Sequence, residues 1–125
     1  MNVSAFTLPG EIAATVHVAD NISSAPTIIL CHGFCGIQPI LLPAFVNAFV
    51  EAGFTAITFD YRGFGASGGE RGRLVPAMQI ADIISVIQWC RSLPEVDSSR
   101  LGLWGTSFGA RMLWRPRRIT LMSAV

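Results

Sequence analysis

Residues 27–31, TIILC, form a short, nearly unbroken apolar run rich in β-branched side chains. A run of that length without alternation suits a strand covered on both faces of a parallel sheet. FTAITF at 54–59 and RLGLW at 100–104 have the same character, and ITLMSAV at 119–125 predicts a fourth strand. Between these runs the apolar period changes. Leu42, Phe45, Val46, Phe49 and Val50 recur at spacings of three and four. That spacing predicts a helix with one apolar face, ended by Gly53 as a C-cap. Ile80, Ile83, Ile84, Ile87 and Cys90 mark the buried stripe of a second helix over about 74–92, with Pro94 beyond its end. A short third helix is expected from Phe108 and is stopped by Pro116. Upstream, 3–8 and 12–19 flank Pro9-Gly10, a turn dipeptide, and predict a β ribbon.

After the ribbon the order is therefore strand, helix, strand, helix, strand, helix, strand. Such alternation implies right-handed crossovers and helices on both faces of the sheet. The expected fold class is α/β, a three-layer sandwich around a parallel sheet with an N-terminal antiparallel ribbon. A chain of 125 residues has room for one domain.

Composition sharpens this picture. Hydrophobic residues make up 51% of the chain and charged residues 14%, against about 25% charged in an ordinary soluble domain. Disorder is excluded, and the surplus points to fully buried strands or to a surface that meets more protein. A net charge of +1 argues against nucleic acid or a membrane surface as partner. Arg111, Arg115, Arg117 and Arg118 cluster near the C-terminus. They read either as exposed cations at a helix end or as a departure from an ancestral pattern. The three cysteines, Cys31, Cys35 and Cys90, are odd in number and have apolar neighbours. They read as structural thiols in a reducing compartment, with no further Cys or His cluster to complete a metal site. MNVSAFTLPG has neither the basic nor the apolar region of a signal peptide, and no apolar run is long enough to span a bilayer. The expected location is cytoplasmic.

Two glycine motifs carry candidate chemistry. Gly63-Phe64-Gly65-Ala66-Ser67-Gly68 matches G-x-G-x-x-G after a strand. In a dinucleotide site that motif itself opens the helix, so that the helix N-terminus holds the pyrophosphate. Here residues 69–73 intervene, and the next acid of helical context, Asp82, lies inside the helix instead of ending a strand. The motif reads as a glycine-rich turn, with nucleotide binding as the alternative; no cofactor is expected. Gly105-Thr106-Ser107-Phe108-Gly109 matches G-x-S-x-G between a buried strand and a helical start. That is the context of a nucleophile elbow, where small flanking residues permit the sharp turn that exposes Ser107. An oxyanion site needs the N–H of the residue after the serine, Phe108, and a second N–H from the loop after a neighbouring strand. His32-Gly33-Phe34 follows TIILC directly, and Phe34 supplies that second donor.

Together HGF at 32–34, DYRGFGAS at 60–67 and GTSFG at 105–109 resemble the N-terminal half of the α/β-hydrolase superfamily, over about 27–109. Within it the chain is similar to serine aminopeptidases, acyl-esterases and dienelactone-hydrolase-like enzymes. The resemblance implies Ser107 as a nucleophile that forms an acyl-enzyme, with Phe34 and Phe108 as oxyanion donors. It implies that Asp60 and Arg62 brace the loop after the second parallel strand, and that His32 shapes the oxyanion loop. The implied substrate is a small acyl compound: a carboxylic ester, a thioester or a small amide. The family's triad runs in the order Ser, acid, His, yet residues 108–125 contain no Asp, Glu or His. The expectation is a partial hydrolase domain over 1–125 whose activity is impaired or absent. His32 with Asp60, or His17 on the ribbon, are poor substitutes as base and acid. The competing expectation is a non-catalytic fragment, stable through association at an exposed sheet edge.

Overall fold

The computed structural model describes residues 1–20, 24–31, 42–72, 75–106 and 120–124, with the backbone alone for Thr106 and for Thr120–Ala124. Six strands and two helices follow one another as β1 (Asn2–Leu8), β2 (Ile12–Val18), β3 (Ala25–Cys31), α1 (Leu42–Glu51), β4 (Thr55–Phe59), α2 (Pro76–Cys90), β5 (Val96–Thr106) and β6 (Thr120–Ala124). They make one sheet in the order β1-β2-β4-β3-β5-β6. β1 and β2 pair antiparallel, as do β2 and β4, while β4, β3, β5 and β6 run parallel.

The ribbon turns at Pro9-Gly10-Glu11, where Gly10 and Glu11 both have positive φ and the Glu11 N–H closes on the Leu8 carbonyl at 3.0 Å. In β3, alternate side chains serve two separate cores. Ile29 and Cys31 join Ile57, Phe59, Leu103 and the α2 residues Ile83, Val86, Ile87 and Cys90. Ile28 and Leu30 join Ala56, Trp104 and the α1 residues Leu42, Val46 and Val50. The two helices therefore cover opposite faces, giving the expected three layers. Burial on both faces explains the unbroken apolar runs; each fully buried aliphatic side chain contributes roughly 1.5–3 kcal/mol.

Several boundaries and faces differ from the sequence expectation. α2 starts at Pro76, because a residue before proline is pushed to extended backbone, and Val75 sits at φ −124° and ψ 110°. β5 begins at Val96, four residues earlier than its apolar run. Val96 pairs with Ala25 before a register shift, and Asp97 holds the irregular stretch by accepting from the Ser99 N–H at 3.0 Å and from Arg100 Nε at 2.7 Å. Ile84 points outward at 44% exposure, and Val86 takes its place in the buried stripe of α2. Phe45 is likewise exposed, with its ring 4.5 Å from that of Trp104. Gly53 ends α1 as expected: at φ +94° it donates to the Val50 carbonyl, and Phe54 reaches back to that of Phe49, both at 3.0 Å. The expected helix from Phe108 lies outside the described residues.

Candidate functional site

The parallel strands present their carboxyl ends on one edge of the sheet. β3 is central: Leu30 stands beside Thr58 on one side and Trp104 on the other. The chain leaves β3 through α1 to reach β4, then returns through α2 to β5 on the far side of β3. Strand order thus reverses at β3, and in open α/β sheets the crevice beyond such a switch point is where ligands bind. At that crevice Cys31, the last residue of β3, pairs with Gly105, and Thr106 pairs with Ala124 of β6. The segment His32-Gly33-Phe34 follows Cys31 directly, and Ser107-Phe108 follows Thr106 directly. These residues, the candidate nucleophile and oxyanion donors among them, lie outside the described residues. The backbone nonetheless starts both segments from adjacent strands.

The third motif, at 60–72, is described in full and folds as a braced loop. Asp60 is almost fully buried, and its Oδ2 accepts the Ala66 N–H at 3.0 Å. The Ser67 hydroxyl donates to the Asp60 carbonyl and accepts the Ala13 N–H at 2.8 Å, tying the loop to β2. Arg62 grips the fully buried Asp82 of α2 twice, through its backbone N–H at 2.9 Å and through Nε at 2.5 Å. Arg71 closes the far side onto the carbonyls of Gly65 and Ser67. Bracing by Arg62 therefore runs through Asp82. Ser67 and Asp82 were missed as supports in the sequence. The signal for Asp82 is an acid placed next to Ile83 on the buried side of an otherwise uncharged helix.

The same geometry decides between the two readings of GFGASG. Five of its six backbone N–H groups, those of residues 63, 64, 66, 67 and 68, donate within the chain. The Asp60 carboxylate sits where a phosphate would need positive potential. The loop is a self-satisfied turn, not a phosphate cradle.

His17 lies in mid-sheet on β2, paired with Ala56, and its Nε2 is 3.3 Å from Thr58 Oγ1. Burial pushes its imidazole below the ordinary histidine range. Burial also pushes the Cys31 thiol well up and that of Cys90 up to about 12. The Tyr61 phenol is raised by burial first, with Cys31 and Asp82 adding to it. A cavity of about 560 Å³ opens between α1 and the ribbon, lined by Val3, Thr15, His17, Val46, Asp60 and Ala66 among others. Among the described residues its lining comes from the ribbon with Met1, α1, β4 and the loop after β4. No group of three or more His, Cys, Asp or Glu side chains is arranged to hold a metal among the described residues. Nor is any described helix long and apolar enough to cross a membrane.

Comparison with known proteins agrees with this architecture. A family profile described as the alpha/beta hydrolase fold matches residues 26–115. An uncharacterized 31.7 kDa protein of the traX-finO intergenic region of Escherichia coli is 56% identical over 117 residues, covering 94% of this chain and 41% of that protein. The quorum-quenching protein AidA of Acinetobacter baumannii is 39% identical over 87 residues, 69% of this chain and 29% of the relative. Among solved structures, DcsB in complex with its substrate analogue superposes with a TM-score of 0.85 at 28% identity, covering 94% of this chain and 43% of that one. The chain spans less than half the length of each of these proteins.

Proposed function

The chain belongs to the family with the α/β hydrolase fold, and from that premise we propose that it is the nucleophile-bearing part of a serine hydrolase acting on carboxylic ester, thioester or small amide bonds. Ser107 Oγ attacks the acyl carbonyl carbon, and its proton passes to a general base. The carbonyl oxygen becomes an oxyanion held by the Phe34 and Phe108 N–H groups. Collapse expels the alcohol, thiol or amine, which takes up a proton, and water then hydrolyses the acyl-enzyme.

The observation that carries the reading is the pairing of Cys31 with Gly105. It starts the HGF and TSF segments from neighbouring strand ends at the switch point, as a nucleophile and its oxyanion loop require. The Asp60 loop stands on the next strand and is held rigidly from α2 and β2. No Asp, Glu or His occurs in residues 108–125. Within these residues Ser107 therefore lacks the downstream acid and base of the family order, and hydrolysis by the 125 residues alone is slow or absent.

The test compares the chain with a chimera extended by the downstream residues of the 56%-identical Escherichia coli relative. The expected result is weak fluorophosphonate labelling of the short chain, strong labelling of the chimera at Ser107, and loss of label and of p-nitrophenyl ester hydrolysis on Ser107→Ala. A folded chimera that takes no label at Ser107 would overturn the assignment.

A further inference from the structure

We draw no further inference here: the strongest candidate, the cavity of about 560 Å³ between α1 and the β1–β2 ribbon, is an apolar recess, and nothing in the structure shows what covers it.

Discussion

Gly65 sits directly over the Asp60 carboxylate: a Cβ at residue 65 would lie 2.5 Å from Asp60 Oδ2, and the glycine already holds φ at +52°. The loop after β4 is thus folded tightly around a buried acid at the strand end. Gly65→Ala must both strain the backbone and displace that carboxylate from the Ala66 N–H. The expected cost is about 2–4 kcal/mol, read as a lowered midpoint in urea unfolding followed by circular dichroism. A change within experimental error would mean that the loop yields easily.

Asp82 is fully buried and receives two donors from Arg62, whose own side chain is one-third exposed. Removing the acid leaves both donors unmatched, but water reaches the guanidinium and softens the loss. Asp82→Ala is expected to destabilise by about 2–4 kcal/mol. Arg62→Lys keeps the charge but loses the Nε geometry and should cost less. Equal losses in the two variants would contradict a role for that geometry.

Gln79 is 1% exposed, and neither polar atom of its carboxamide has a hydrogen-bond partner among the described residues. An unsatisfied buried amide costs about 1–3 kcal/mol. Gln79→Met, close in shape, should therefore raise stability, by about 1 kcal/mol, in the same unfolding assay. A loss of stability would indicate that Gln79 makes a hydrogen bond in solution.

The lowered pKa of His17 sets the sign of a pH effect. Its folded pKa lies below the unfolded value of about 6.5, so the unfolded chain binds the proton first. The contribution is complete above that value and is lost as pH falls through it toward the folded pKa. Asp60 and the Met1 end line the same cavity, yet burial decides the direction. Titration of the imidazole by NMR should give a pKa below 6.5, and His17→Phe should flatten the fall in urea midpoint on acidification. An imidazole that titrates at or above the free value would refute the shift.

Cys31 and Cys90 are buried free thiols whose pKa values are raised. Thiolate is the reactive species, so in a Cys35→Ser chain a disulfide reagent at pH 8 should find no thiol until urea unfolds the protein. Two equivalents released under native conditions would show that the core on the α2 side opens readily.

The element order was legible in the chain because local physics writes it there. Burial on both faces makes TIILC and FTAITF continuous, a 3.6-residue period marks α1 and α2, and Gly53 sets the end of α1. The same holds for the order of the motifs at the ends of β3, β4 and β5. Periodicity did not tell which side of a helix would find a neighbour. Phe45 and Ile84 fit their apolar stripes but end up exposed. Nor did it tell what the glycines of GFGASG do, since that depends on Glu11, Ala13 and Asp82, brought in from β2, the turn before it and α2. Strand order was decided by tertiary structure alone. Pairing β3 with both β4 and β5 is a long-range choice, made by which buried faces fit together. That choice sets Cys31 beside Gly105, and so gathers at one edge two segments that lie more than seventy residues apart in the chain.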